Sequence, residues 1–155
     1  MNRRTVLTTL AVASLTATLA LAADKPNYSG SWKMNAGKSD FGPLPAPEKL
    51  EQTIKHEGDK LVINGVRSGP QGEMKSETTY LTDGSDSVNK QAGVEFKSVA
   101  KWEGDKLVIK SKRDFQGMEV SIVETWTLDG KTLTVVRDLG TPQGDFKQTT
   151  VMDKQ

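Results

Sequence analysis

Apolar and polar residues alternate along nearly the whole chain from residue 50 onward, and Gly and Asp interrupt the alternation at short intervals. A period of two marks strands with one buried and one wet face. The pattern is clearest in a segment that occurs twice. Residues 53–64 read Thr-Ile-Lys-His-Glu-Gly-Asp-Lys-Leu-Val-Ile-Asn, and residues 99–110 read Val-Ala-Lys-Trp-Glu-Gly-Asp-Lys-Leu-Val-Ile-Lys. A looser copy at 124–135 passes through Trp126, Leu128, Asp129, Gly130, Lys131, Leu133 and Val135. Each copy is a strand, a Gly/Asp turn and a second strand that opens with Lys, which is the pattern of a hairpin.

The alternation predicts ten strands, near 28–34, 50–56, 60–67, 73–81, 86–89, 94–102, 106–113, 117–128, 131–139 and 145–153, and nowhere a helical period. The turns fall into two classes that alternate along the chain. Glu57-Gly58-Asp59, Asp83-Gly84, Glu103-Gly104-Asp105 and Asp129-Gly130 are tight and acidic. Those at 68–73, 89–93, 115–117 and 141–145 combine Gly with Gln, two of them as Pro-Gln-Gly. Alternate turns of an up-and-down meander lie at opposite ends, so each class marks one end. The expected fold is all-β, an antiparallel meander closed into a barrel of eight to ten strands, because closure removes both free edges. Such a barrel has room for side chains plus one small ligand. The 35–49 connection carries Pro43, Pro45 and Pro47. Proline forbids a ladder there and favours an extended course at the Gln-Gly end.

Alternation also assigns faces. Leu61, Ile63, Gly65 and Arg67 share one face, as do Leu107, Ile109, Ser111 and Arg113, and Leu133, Val135 and Arg137. Lys55, Lys75, Glu77, Lys97, Lys101 and Lys110 fall on the other, which marks the first set as inward. Trp32, His56, Trp102 and Trp126 are expected to close the acidic-Gly end. His56 stands where the sister repeat has Trp102. A packed core histidine fits that place, and a ligand or base role is the alternative.

The other end is more polar. Arg67 and Arg113 lie at matching offsets that bring both to the Gln-Gly mouth, with Arg137 deeper. Pairing across Asp129-Gly130 sets Arg137 opposite Ile122 and diagonal to Glu124. Two readings follow. In one, Arg137 and Glu124 pair internally, because a lone buried charge is strongly unfavourable, and the rim arginines face water. In the other, the three arginines receive an anionic head group by bidentate hydrogen bonds. Phe96, Ser98, Ser111, Met118 and Glu124 complete the candidate ligand-binding set. Gly65, Ser76, Ser98, Ser111, Gln148 and Thr150 are small or polar at inward positions and favour a wet cavity over a sealed core.

Composition narrows the chemistry. The 155 residues suffice for one domain and include no Cys, hence no disulfide, thiolate nucleophile or Cys metal site. One His without suitable neighbours makes no metal site. Met34, Met74, Met118 and Met152 are scattered as core gap-fillers are, not grouped as a copper site would be. There is no Ser/His/Asp grouping and no phosphate loop, so no catalytic residue, cofactor or enzyme activity is expected. Glu124 is the one inward acid, and pairing with Arg137 would make it a poor proton donor at neutral pH.

Residues 1–22 are expected to form a bacterial secretory signal. Arg3 and Arg4 precede an apolar stretch at 6–21, and Ala20-Leu21-Ala22 is a small-x-small cleavage site. The paired Arg leaves Sec and Tat export both open. The stretch is short and Thr-rich for a retained membrane helix, and no Cys follows it to carry lipid, so no membrane anchor is expected. Cleavage near Ala22 would leave residues 23–155 as one barrel domain, periplasmic or secreted. It would also take the net charge from +1 to −1, which gives no general attraction to nucleic acid.

Gly30-Ser31-Trp32-Lys33 at the head of a β meander resembles the Gly-x-Trp start of lipocalins and the Gly-x-Trp-Lys start of fatty-acid-binding proteins. Trp-Glu-Gly-Asp-Lys-Leu at 102–107 and Leu-Asp-Gly-Lys-Thr-Leu-Thr-Val at 128–135 are similar to the final hairpins of the latter. The chain also resembles small exported bacterial proteins of unassigned function. The resemblance covers most of residues 28–153. It implies a lipocalin-like barrel, a first Trp packed near the closed end, and a lid between the first two strands, where this chain has 35–49. The family's carboxylate-gripping Arg-x-Tyr falls on Thr150-Val151-Met152, and its preceding Arg falls on Thr125. Neither position carries Arg here, which leaves Arg137 on another strand as the candidate. The function expected is an exported protein holding a small, largely apolar or amphipathic molecule, neutral or anionic. The alternative is an envelope interaction module, or a lipocalin-like inhibitor, that uses Phe41, Leu44 and the prolines of 35–49 to meet a protein partner.

Overall fold

The structure, a computed structural model, describes residues 24–155. The expected signal at 1–22 lies outside the described residues. Among them the chain forms ten strands: β1 (Gly30–Met34), β2 (Lys49–Glu57), β3 (Lys60–Gly69), β4 (Gly72–Leu81), β5 (Asp83–Gln91), β6 (Val94–Glu103), β7 (Lys106–Phe115), β8 (Met118–Asp129), β9 (Thr132–Thr141) and β10 (Gly144–Lys154). All pairings are antiparallel. β1 lies between β2 and β10, so the first strand meets the last, with Trp32 opposite Lys154 and Met34 opposite Met152. The fold is the expected up-and-down meander, closed nearly all the way round.

One seam interrupts it. β4 and β5 follow each other in the chain, but they are the two ends of the hydrogen-bonded strand order. The expectation that consecutive strands are zipped throughout fails here for a physical reason: side chains stand between the two backbones. Asn89 accepts from the Thr79 N–H and donates to the Thr79 carbonyl, both at 2.8 Å. Ser87 Oγ accepts from the Leu81 N–H at 2.8 Å. These bonds satisfy the β4 edge near the acidic-Gly end and hold β5 one side chain away. The turn also falls at Thr82, one residue before the expected Asp83-Gly84, and β5 has a register irregularity between Asp83 and Asp86.

The two turn classes differ in backbone geometry. Gly58, Gly104 and Gly130 each take the first central position of a two-residue turn, with φ of +57°, +65° and +58°. Glycine at that position suits the tight hairpin whose twist matches its strands. The two-residue turn of β8–β9 sets Arg137 directly opposite Glu124, and Ile122 opposite Leu139. This corrects the expected Arg137–Ile122 pairing, which took Asp129-Gly130 as the turn; the turn is Gly130-Lys131, one residue later.

The core lies toward the acidic-Gly end. Leu61, Leu107, Ile109 and Leu133 have no solvent exposure and pack with Trp32, Ile54, Tyr80 and Trp126. Burying a side chain of this size stabilises the fold by about 1.5–3 kcal/mol. At the opposite end the 35–49 connection is not extended throughout. It makes a single 3₁₀ turn at Ala36–Lys38, bridges β10 through Asp40 and Thr149, and then crosses the mouth.

Candidate functional site: a cavity at the Gln-Gly end

The inward face is apolar at one end and small or polar at the other, and the space this leaves is a cavity of about 680 Å³. One wall comes from β2–β4, through Leu50, Gln52, Gly65 and Ser76, and the facing wall from β9–β10, through Val135, Arg137, Gln148, Thr150 and Met152. Trp126 reaches it from the core side, and Phe41 and Pro47 of the 35–49 connection cover it. Gly65 is necessary to this shape. It stands opposite Gln52 on one side and Ser76 on the other, and a Cβ there would come within 3.0 Å of Ser76 Oγ. The cavity also extends to the unbridged part of the β4–β5 seam, where Lys75 and Glu77 face Lys90, Gln91 and Ala92.

Arg137 is the charged group of the β9–β10 wall. Its Nε and Nη2 donate to Oε1 of Glu124 at 2.9 and 2.6 Å. The other Glu124 oxygen accepts from Trp126 Nε1 at 3.1 Å. Burial would push the Glu124 carboxyl up, but Arg137 and the Trp126 N–H together hold it below its ordinary range, so it stays ionised. Glu124 in turn raises the pKa of Arg137. The Arg137 side chain is 38% exposed although it lies within the barrel, and that exposure opens onto the cavity it lines. Gln52 Oε1 is buried and, among the described residues, has no hydrogen-bond partner.

The predicted ligand-binding residues divide. Arg67 and Arg137 line the cavity; Arg113, Phe96, Ser98, Ser111, Met118 and Glu124 do not. Arg113 stacks over the Phe96 ring at 3.8 Å and donates to Gln91 Oε1 at 2.6 Å. Ser98 and Ser111 face each other and share a 2.7 Å hydrogen bond that closes their part of the barrel. Met118 is exposed at the end of β8. Glu124 stands behind Arg137. The reading in which three arginines meet one anion is therefore corrected: Arg113 is bound to Gln91 and Phe96, Arg137 to Glu124, and Arg67 is exposed at the rim. Gln52, Leu50 and Met74 are not among the expected ligand-binding residues, and Phe41 and Pro47 are expected there only as contacts for a protein partner. For Gln52 the signal was available, since it shares inward parity with Ile54 and His56.

The opposite end holds the aromatic group. Tyr28 stacks on His56 and Trp102, with ring centroids 5.7 and 5.9 Å apart, and meets Trp126 edge-on at 5.5 Å. Its N–H donates to His56 Nδ1 at 3.3 Å, and Trp32 Nε1 donates to its carbonyl at 2.9 Å. Burial lowers the His56 pKa and pushes the Tyr28 phenol up to about 12, so both are neutral at pH 7. Tyr28 is fully buried at the centre of this group, a role the sequence pattern did not assign to it. Among the described residues, no cluster of His, Cys, Asp or Glu could hold a metal ion.

No protein-family model and no curated protein matches the chain. Solved structures do match in fold. A secretory abundant heat soluble (SAHS) protein from Ramazzottius varieornatus superposes with a TM-score of 0.62 at 16% identity, over 83% of this chain and 95% of that one. Zebrafish ileal bile acid-binding protein, complexed with cholic acid, gives 0.60 at 19%, over 83% and 98%. The fluorescent protein UnaG gives 0.52 at 19%, over 82% and 95%. The chain thus shares the calycin-like β-barrel fold of these proteins.

Proposed function

We propose that this protein is an exported binding protein that carries a small amphipathic molecule within its barrel. The observation behind the reading is the 680 Å³ cavity, whose size falls in the range of small-molecule sites. Its wall is divided between apolar side chains, among them Leu50, Trp126, Val135 and Met152, and polar or charged ones, among them Ser76, Arg137, Gln148 and Thr150, as an amphipathic guest requires. The fold adds support, since a zebrafish protein that shares it is complexed with cholic acid. Phe41 and Pro47 turn into the cavity, which makes 35–49 a cover for the guest more than a surface for a protein partner. Export rests on the sequence of residues 1–22. The arrangement offers no paired acid and base or activated nucleophile at the cavity wall, which favours binding over catalysis.

The test is native mass spectrometry of the mature protein purified from its own host, followed by denaturing extraction. A small molecule released on denaturation is the expected result. A bare protein mass, together with no thermal stabilisation by a panel of amphiphiles, would overturn the proposal.

A further inference from the structure

Two features stand between the cavity and solvent at the Gln-Gly end: the 35–49 connection and the open half of the β4–β5 seam. They are held differently. The connection is stitched down on both sides of the mouth. On β10, the Asn35 N–H donates to the Val151 carbonyl at 2.8 Å, Asp40 and Thr149 exchange backbone hydrogen bonds at 2.8 and 2.6 Å, and the Val151 N–H donates to Ser39 Oγ at 3.0 Å. On β3, the Glu48 N–H donates to the Ser68 carbonyl at 2.9 Å, and Pro47 beside it is buried. The seam has no such closure. Its bonds lie at Thr79 and Leu81, and among the described residues no hydrogen bond joins 72–78 of β4 to 90–93 of β5. Gln91 does accept from Arg113, but that bond holds β5 to β7 and not to β4. The N–H groups of Thr79 and Leu81 point across the seam, and by the alternation of a strand those of Lys75 and Glu77 do too. Lys75, Glu77 and Lys90 are exposed, so water stands there in place of a partner strand. Parting the strands at this point breaks no bond between them, whereas lifting the connection breaks several.

We propose that the guest enters and leaves through the open half of the β4–β5 seam, and that the 35–49 connection is a fixed cover and not a moving lid. This rests on the binding reading above and specifies the path of its ligand. The guest passes between Lys75 and Glu77 on one side and Lys90, Gln91 and Ala92 on the other. The bonds of Asn89 and Ser87 act as the hinge, holding the strands together toward the acidic-Gly end while the other end parts.

The chain has no Cys, so introduced thiols can be linked without competition. Glu77→Cys with Lys90→Cys, joined by a short bis-maleimide, ties the open half of the seam at two exposed positions. Asp40→Cys with Thr149→Cys, joined as a disulfide, ties the connection to β10. Residues paired in this way lie about 5.5 Å apart at Cα, within reach of a disulfide. The probe is a dansyl-labelled dodecanoate followed by stopped-flow fluorescence, and each variant of the mature protein is compared with its own unlinked form. Capping the seam thiols with N-ethylmaleimide controls for added bulk. The seam link should slow association and dissociation alike by about tenfold or more, the effect of forcing a bond of the connection to break first. The disulfide should leave both rates within about twofold, because a fixed cover does not gate the path. No slowing by the link, or as much slowing by the disulfide, overturns the path and leaves the binding reading standing. Where a variant does not fold or close its link, or where the probe does not bind but the native protein releases a molecule, hydrogen exchange of the wild type decides. The Thr79 amide should exchange faster than those of Asp40 and Thr149, and the reverse order overturns the path. A bare native mass with no binding of the probe overturns the binding reading and this inference with it.

Discussion

The hairpins β2–β3 and β6–β7 share the run Glu-Gly-Asp-Lys-Leu-Val-Ile, yet one walls a cavity and the other is filled. Over the shared run they are alike: Leu61 and Leu107 are both fully buried, and Gly58 and Gly104 make the same turn. They part beyond it. Where the filled hairpin sets Ser98 against Ser111 at 2.7 Å, the hollow one sets Gln52 against Gly65 and leaves the amide oxygen unpartnered. Where one has Phe96 under Arg113, the other has Leu50 opposite a solvent-exposed Arg67. Two cross-strand pairs, at equivalent positions of a repeat, thus decide which side of the barrel is empty. The template builds the hairpin, and its departures from the template build the site.

The largest expected effect tests the shared part. Leu61→Ala and Leu107→Ala should each destabilise by about 2–5 kcal/mol in urea unfolding, through lost burial and the space left behind. A much smaller loss for Leu61 would show that the hollow side relaxes around it. Next comes Glu124→Ala, which leaves Arg137 without its counter-ion. Breaking a fully buried pair costs about 3–5 kcal/mol, and since Arg137 opens onto the cavity the expected loss is nearer 2 kcal/mol. Because the folded-state pKa of Glu124 is depressed, its contribution is present above the ordinary value of 4.5 and is lost as pH falls through the folded value. Acid titration of Glu124→Gln should lack that component.

A reciprocal exchange sharpens the comparison. Ser111→Ala strands the buried Ser98 hydroxyl and should cost about 1–2 kcal/mol. Gly65→Ser gives Gln52 a neighbour with which to bond. It should weaken guest binding in calorimetry and lower the melting temperature only modestly, since its φ does not require glycine but its Cβ would crowd Ser76 Oγ at 3.0 Å. The smallest effect concerns His56, which replaces the repeat's Trp102. Burial depresses its pKa, so the unfolded chain takes up the proton first, and stability falls as pH drops below 6.5. His56→Phe should remove that part of the slope between pH 7 and 5.

Alternation and turn residues made the ten strands and the two ends of the barrel legible, because both are local properties of the chain. The seam was not legible. β4 and β5 read as an ordinary hairpin, and nothing local reveals that Asn89 and Ser87 occupy the place of a ladder. The site was half legible. Parity found Gly65, Ser76, Gln148 and Thr150, all on the cavity wall, but it also admitted Ser98 and Ser111, whose partners are each other. Inward parity cannot tell a residue facing space from one facing a neighbour. The Arg137–Glu124 register depended on the turn being Gly130-Lys131 and not Asp129-Gly130, a one-residue shift that slides one strand two residues along the other.

The pairing of β1 with β10 has a kinetic consequence. Trp32 finds one of its strand partners in Lys154, and the Gln155 N–H reaches the Ser31 carbonyl at 2.9 Å. The hairpins can form from sequence neighbours, but sealing the wall joins the two ends of the described chain, and contacts so distant in sequence slow folding. Closure of the wall therefore waits on β10: a chain that lacks Gly144–Lys154 can hold the β2–β3, β6–β7 and β8–β9 hairpins and still lack the strand that pairs with β1.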